Sequence, residues 1–263
     1  GKLFLVDHVH LSTSVEKEIF FPKKIFKIIV KTTYLFANQI IVVSNGVKED
    51  LIQISSNLKK KIKVINNPLI KEKIFKKKSK SLIKKIWGQD TKYRILNVGS
   101  LKVQKDHFNL IKAFYLLKSS HNCKLIIVGN GPLKNDLKLY VKNKKLNDKI
   151  LFVNFEANMQ KYYETADLLV SSSKWEGFSN VIAESLGHGL PVISTDCKSG
   201  PSEILKAGKY GKLVPIEDPK KLSIAIYQGL RKKHNKKLLI KRSLDFDVGK
   251  ISEQYLELIN YEK

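Results

Sequence analysis

Acidic residues are scarce in this chain. Against 49 lysines and arginines stand 24 aspartates and glutamates, a formal net charge of +25 over 263 residues. Arginine is scarcer still: Arg94, Arg231 and Arg242 are the only ones. Reading of base edges leans on arginine, and no helix-turn-helix, zinc-finger or RNA-binding signature accompanies the lysines, so no nucleic-acid partner is expected. Cysteine is nearly absent. Cys123 and Cys197 share no motif, which argues against a disulfide framework and reads as two reduced, inert thiols in a cytoplasmic protein. No run of 18 uncharged apolar residues exists, so no membrane span is expected. The opening GKLFLVDHVHLST lacks a basic stretch followed by an apolar one and a cleavage site. No signal peptide is read there.

What the chain has in excess is lysine. Isoleucine, lysine and asparagine are abundant together, as codon bias in an AT-rich genome would give. The other reading is an anionic partner such as a phospholipid surface. Two segments favour the second. Lys23, Lys27 and Lys31 recur at helical spacing beside Phe26, Ile29 and Val30. Twelve lysines fall between Lys59 and Lys85, where Glu72 is the only acid. The expected location is cytoplasmic, peripheral on the inner face of the cytoplasmic membrane.

Short apolar runs alternate with longer periodic segments. KLFLV, QIIVVS, KIKVI, YRILNVG, KLIIVG, KILFV, DLLVSS and PVISTD read as strands. Helix patterns lie between them at roughly 46–56, 105–119, 133–145, 158–165, 179–188 and 218–235. Continuous Ile/Val/Leu runs suit strands buried on both faces, as in parallel sheets, and repeated strand-helix units argue for a doubly wound α/β architecture. The stretch after Pro68 is polar and lysine-rich and reads as a boundary. It separates a partial α/β domain over 1–68 from a five-to-six-strand domain over 69–245, with a closing amphipathic helix over 246–263.

Two of the few acids sit around one loop. DLLVSS ends just before Trp175-Glu176-Gly177-Phe178-Ser179, and the helix that follows carries Asn180 and Glu184. Ligands of open α/β sheets bind at the carboxyl ends of strands. A helix N-terminus offers unpaired N–H groups and positive potential to a phosphate. Gly177 lets the backbone come close, and Ser179 is an N-cap candidate. Carboxylates beside a phosphate repel it unless they accept from hydroxyls. Two of them flanking such a turn fit a ligand with hydroxyls on both sides of its phosphates, as in a nucleotide-sugar. The same spacing also fits two solvated helix-entry glutamates.

Three further elements follow. Gly99-Ser100-Leu101 opens a loop to Lys105, whose ammonium can neutralise a leaving diphosphate. Gly129 and Gly131 form a strand-to-helix turn that is only GxG, weak as a dinucleotide fingerprint. Gly200-Pro201 leads to Glu203, read as a helix cap rather than a ligand.

Together, VGSLKVQKDHFNLIKAF, LIIVGNGPLKNDL, YYETADLLVSSSKWEGFSNVIAESLGHGLPVISTDCKSGPSEIL and GKYGKLVPIED resemble the donor-binding half of family 4 retaining glycosyltransferases, over about residues 38 to 260. The resemblance implies a GT-B fold with the donor, a UDP-sugar, in the C-terminal domain. It implies Glu176 on the hydroxyls of the donor sugar, Glu184 on the ribose, and backbone N–H groups of Gly177, Phe178 and Ser179 near the diphosphate or sugar. Lys105 matches the family's diphosphate lysine. His8, ending the strand LFLVD, matches a family histidine that reaches the sugar and leaving group; His10 is the second choice. Catalysis is thus expected from Glu176, Lys105 and His8. Substrate binding is expected from Glu184, Gly177, Phe178, Ser179, Asn180, Gly99, Ser100, Gly129 and Gly131.

The departures are definite. Ser100 stands where the family has an arginine, with Lys102 as a substitute. Asn154 stands where a turn glycine is usual; asparagine tolerates left-handed geometry. The family also begins with a full N-terminal domain, whereas only three strands precede the boundary here. Asp245-Phe246-Asp247 mimics a metal-binding DxD but lies away from any strand end. No metal and no cofactor beyond the donor are expected. The function implied is transfer of a sugar to a glycan or lipid-linked acceptor for bacterial surface polysaccharide, at an anionic membrane surface. The alternative is a non-catalytic donor-binding subunit.

Overall fold

The computed structural model describes residues 1–19, 22–71, 79–89, 91–117 and 122–261. Part of the lysine run, the end of the helix expected over 105–119 and the last two residues of the tail lie outside them.

β1 (Phe4–Asp7), β2 (Gln39–Val42) and β3 (Ile62–Val64) form one parallel sheet in that order. Its connections carry α1 (Leu11–Ser14), α2 (Lys23–Leu35) and α3 (Asn45–Ile54). α4 (Lys80–Trp87) precedes a second sheet of six parallel strands. These are β4 (Tyr93–Val98), β5 (Cys123–Val128), β6 (Ile150–Val153), β7 (Leu168–Ser171), β8 (Val192–Thr195) and β9 (Lys212–Val214), in the order β6-β5-β4-β7-β8-β9. Between them run α5 (His107–Leu116), α6 (Lys134–Asn143), α7 (Gln160–Thr165), α8 (Asn180–Gly187) and α9 (Pro201–Ile204). α10 (Pro219–Arg231), α11 (Lys236–Ser243) and α12 (Val248–Tyr261) finish the chain.

The continuous apolar runs have the predicted cause. Along β4, Leu96 and Val98 enter one core while Ile95 enters another; along β7, Leu169 enters the first, Leu168 and Val170 the second. A strand alternates its side chains between faces, so both faces of these strands lie under helices. Helix starts carry their caps: Ser44 Oγ accepts from Val47 N–H at α3, and Asp218, just before Pro219, accepts from Lys221 N–H at α10.

Four elements went unread in the sequence: α1, α4, β9 and α11. α4 lies inside the polar stretch after Pro68. It is held by Trp87, fully buried, whose indole N–H donates to Thr165 Oγ at 2.8 Å, with Ile83 and Ile86 packed on the same core; the apolar pairs Leu82-Ile83 and Ile86-Trp87 carry a helical period, but over two turns only and inside a lysine-rich stretch read as a boundary. β9 is a three-residue edge strand, below the length at which an apolar run stands out. One expectation is corrected. Asn154 is not left-handed; its Oδ1 accepts from Lys134 Nζ at 2.5 Å, so its side chain serves as a polar tie.

The chain crosses between sheets twice, and the crossings hold each other. Leu69 and Ile70 N–H donate to Phe246 O at 3.0 and 3.1 Å, and Val248 N–H donates to Ile70 O at 3.0 Å. α12 then returns to the first sheet, where Ile251 and Leu258 share a core with Ile41 and Ile65.

Candidate active site

The strand order reverses between β4 and β7. At such a switch point the following loops part and leave a crevice at the carboxyl ends. The loop after β4 carries Lys105 and the loop after β7 carries Glu176. They meet there: Lys105 Nζ donates to Glu176 Oε1 at 2.6 Å. The same oxygen accepts from Ser173 Oγ at 2.6 Å. Both side chains are largely buried.

The two loops are laced together. Gln104 Nε2 donates to Trp175 O, Lys174 N–H to Gln104 O, and Ser172 Oγ to Lys105 O. Two glycines let the backbones close up. A Cβ on Gly129 would lie 1.9 Å from Gly99 O, and one on Gly131 2.5 Å from Leu101 O. A Cβ on Gly99 would make only ordinary contact with the Lys105 methylenes, at 3.4 Å. Gly129 and Gly131 therefore shape the 99–101 loop from behind. Ser100 is exposed on that loop, and Lys102 is half-buried.

Ser179 occupies the N-cap position of α8 with φ +82°, yet its hydroxyl caps nothing and is buried without a hydrogen-bond partner. The sequence pointed to a capping serine there. Instead the N-cap side chain makes no hydrogen bond to the first turn. Phe178 is a core residue, its ring edge-on to Phe246 at 5.2 Å.

One turn along α8, Glu184 Oε2 accepts from Tyr163 Oη at 2.5 Å, and the Tyr163 ring stacks on His188 at 5.1 Å. Burial, then the Glu184 charge, pushes the Tyr163 phenol well above its ordinary range. Burial lowers the pKa of the His188 imidazole. These groups line a cavity of about 800 Å³ with Val98, Phe155 and Met159. Asn180 is at its rim, its Oδ1 accepting from Asn67 Nδ2.

The first sheet supplies the opposite wall. The backbones touch at Gly177, where a Cβ would lie 1.9 Å from His8 O. Ser44 Oγ donates to Gly177 O at 2.6 Å. The Glu203 carboxylate accepts from Asn45 N–H, Asn45 Nδ2 and Gly46 N–H at 2.8, 3.0 and 3.0 Å. Glu203 is thus a helix cap, but of α3 in the other unit rather than of its own helix. His8 is exposed. His10 is buried, with Nδ1 3.0 Å from Thr13 Oγ and 3.4 Å from Asp50; burial lowers its pKa. Asp7, the last residue of β1, is buried, and that pushes its carboxyl up to about 6 against bonds from Val9 N–H and Tyr34.

Of the expected residues, the structure brings Lys105, Glu176 and Gly99 into one cluster, and Gly177 against the backbone of His8. Glu184 and Asn180 lie along the neighbouring cavity. Sequence reading missed Ser173, Tyr163, His188 and Ser44, whose roles come from contacts across the fold. The Asp245-Phe246-Asp247 element is structural: Asp245 pairs with Arg242, and Asp247 caps α12 through Lys250 N–H. Among the described residues no three His, Cys, Asp or Glu side chains are grouped to hold a metal.

Residues 79–243 match the family described as Glycosyl transferases group 1. The chain belongs to the group 1 glycosyl transferases. It is 34% identical over 211 residues to the N-acetylgalactosamine-N,N'-diacetylbacillosaminyl-diphospho-undecaprenol 4-alpha-N-acetylgalactosaminyltransferase of Campylobacter jejuni, covering 80% of this chain and 54% of that one. It is 31% identical to an uncharacterized glycosyltransferase of Methanocaldococcus jannaschii, covering 90% and 66%. The chain thus spans half to two thirds of these relatives' length. The fold of this group 1 glycosyl transferase is GT-B. It superposes on the Anabaena protein HepE, solved with UDP and glucose, with a TM-score of 0.85, at 22% identity over 98% of this chain and 71% of that one.

Proposed function

We propose that this chain transfers a sugar from a UDP-sugar, with retained anomeric configuration, to a glycan or lipid-linked acceptor in bacterial surface polysaccharide synthesis. The observation that carries this is the Lys105–Glu176 contact at the β4/β7 switch point, 2.6 Å long and beside an uncapped helix start. A diphosphate arriving there competes for the Lys105 ammonium. Glu176, relieved of its cation, then accepts from a sugar hydroxyl. The lysine stabilises charge on the leaving diphosphate, while the α8 N-terminus adds its dipole. Glu184 accepts from the ribose, with the Tyr163–His188 stack beside the base. His8 approaches the sugar from the opposite wall. No carboxylate nucleophile is assigned and no metal takes part; positioning and electrostatics carry the rate.

The relatives support the substrate classes. The Campylobacter enzyme is named for a diphospho-undecaprenol acceptor and an alpha linkage. HepE is described with UDP. An alpha product from an alpha-linked UDP-sugar is retention. A lipid-linked acceptor puts the work at a membrane surface on the cytoplasmic side. The test is a thermal-shift screen of nucleotide-sugars, then transfer to a polyprenyl-diphosphate-linked sugar with the product's anomeric proton read by NMR. UDP-sugar stabilisation and retained configuration are expected. An inverted product, or no preference for uridine nucleotides, overturns the proposal.

A further inference from the structure

One oxygen of Glu176 serves two donors of different kinds. Oε1 accepts from Lys105 Nζ and from Ser173 Oγ, each at 2.6 Å, which uses both of its lone pairs. The other oxygen, Oε2, has no hydrogen-bond partner among the described residues. Ser173 is 1% exposed and the Glu176 side chain 6%, against 18% for the Lys105 side chain. The serine bond is therefore interior, and the lysine is the more accessible of the two donors. All three side chains belong to the six-stranded unit, so the cluster forms without any contact from the first sheet.

The two donors are anchored unequally. Ser173 stands three residues before its acceptor in the same loop. Its own carbonyl accepts from Thr195 Oγ1, at the end of β8, in a buried bond of 2.6 Å. The acceptor's backbone is tied too, Glu176 N–H donating to Lys198 O at 3.2 Å. Lys105 hangs from the other loop on a long flexible stem, which gives up more rotamer freedom when held than a serine does. An anion entering the crevice thus draws off the lysine and leaves the serine in place. The serine is then indispensable, because a nearly buried carboxylate with no donor is strongly disfavoured. Cys197 cannot take over. Burial, then the Glu176 charge, pushes its thiol up, so it stays neutral, and a thiol is a weak donor.

We propose that Ser173 is a positioning residue that lets Lys105 change partners, from the Glu176 carboxylate to a diphosphate. Both donors share Oε1 until the diphosphate arrives; afterwards Ser173 alone holds the carboxylate in place, with Oε2 left for a sugar hydroxyl. This deepens the UDP-sugar reading, on which it rests for the ligand but not for its test. The serine touches no phosphate, yet its loss should weaken phosphate binding. Without it the lysine is the carboxylate's last strong donor and is surrendered less readily. A serine that only filled space would have an effect independent of Glu176.

The experiment is a double-mutant cycle. UDP and, separately, pyrophosphate are titrated calorimetrically into the wild type, Ser173→Ala, Glu176→Ala and the double variant. Ser173→Ala should weaken both ligands by about tenfold. Glu176→Ala should keep or raise both affinities, and the double variant should match it within about twofold. The serine then matters only while the carboxylate is present. Thr195→Val, which frees the Ser173 carbonyl, should give a smaller loss with the same dependence on Glu176, and it reads the same coupling if Ser173→Ala does not fold. No loss in Ser173→Ala, or in Thr195→Val where the first does not fold, overturns the proposal. So does an equal loss with and without Glu176. If pyrophosphate binds as well as UDP and the cycle keeps its pattern, the role of Ser173 stands while the UDP-sugar reading fails. A wild type that binds neither ligand overturns both.

Discussion

Lys105 and Glu176, 71 residues apart in sequence, meet at 2.6 Å across the point where the strand order reverses. Each is the other's neutralising charge. Removing one member of such a largely buried pair strands the other, at a cost of roughly 3–5 kcal/mol in the general case. The two single substitutions should therefore differ in ligand binding while both lower stability.

Lys105→Ala should weaken UDP by about 10- to 100-fold and leave uridine within about twofold, since only the diphosphate meets the ammonium. Glu176→Ala should keep or raise UDP affinity, because it releases the lysine, and should reduce transfer by at least about a hundredfold. Calorimetric titration with uridine, UDP and UDP-sugar separates these. Equal losses for uridine and UDP in Lys105→Ala would show a structural lysine.

Glu184 should matter below the level of phosphate. Its replacement by alanine should weaken uridine, UDP and UDP-sugar alike, by the roughly 1.5–3 kcal/mol of a charge-assisted bond. Tyr163→Phe keeps the stack on His188 and frees Glu184 of its 2.5 Å partner. Its effect should stay within about fivefold. A loss confined to UDP-sugar in Glu184→Ala would reverse the orientation assigned to the donor.

Glu203 ties the loop after β8 to the start of α3 through three hydrogen bonds. Without them the wall bearing His8 is less firmly set against Gly177. Glu203→Ala should lower kcat by about tenfold or more, with UDP affinity within about threefold; Glu203→Gln, which retains one acceptor, should recover part of the rate. A change in UDP affinity with no change in kcat would count against a positioning role.

Two buried groups should tilt stability with pH in opposite senses. Burial, then the Lys105 charge, lowers His107 to about 4, and neither ring nitrogen has a hydrogen-bond partner. Its folded form is neutral, so its contribution is full above about 6.5 and is lost as pH falls toward 4. Asp7, raised to about 6, binds its proton more tightly when folded, so its contribution falls as pH rises from about 4 to 6. His107→Leu should thus gain at pH 4.5 relative to pH 8, and Asp7→Asn the reverse, each by on the order of 2–3 kcal/mol. Urea melts at the two pH values measure both. Parallel shifts for the two variants would contradict the assignments.

The strands were legible where their apolar runs are unbroken, which gives β1 to β3 and five of the six strands of the second sheet; β9 was too short to read. The Glu176–Glu184 spacing was legible as a loop and helix entry. What spacing could not carry were contacts made at long range. Glu203 looked like the cap of its own short helix, but its acceptor geometry is met by N–H groups 157 and 158 positions earlier. Ser179 looked like a cap, but a left-handed backbone turns its hydroxyl inward.

The return of α12 to the first sheet sets an order of assembly. A chain grows from its N-terminus, so residues 4–64 leave the ribosome before α12, and Ile41 and Ile65 find Ile251 and Leu258 only once α12 has emerged. The six-stranded unit, closed by residue 214, has its sheet complete before then. The three-stranded sheet is therefore made well before its α12 partner, and until α12 emerges it holds apolar surface that the nascent chain cannot yet cover.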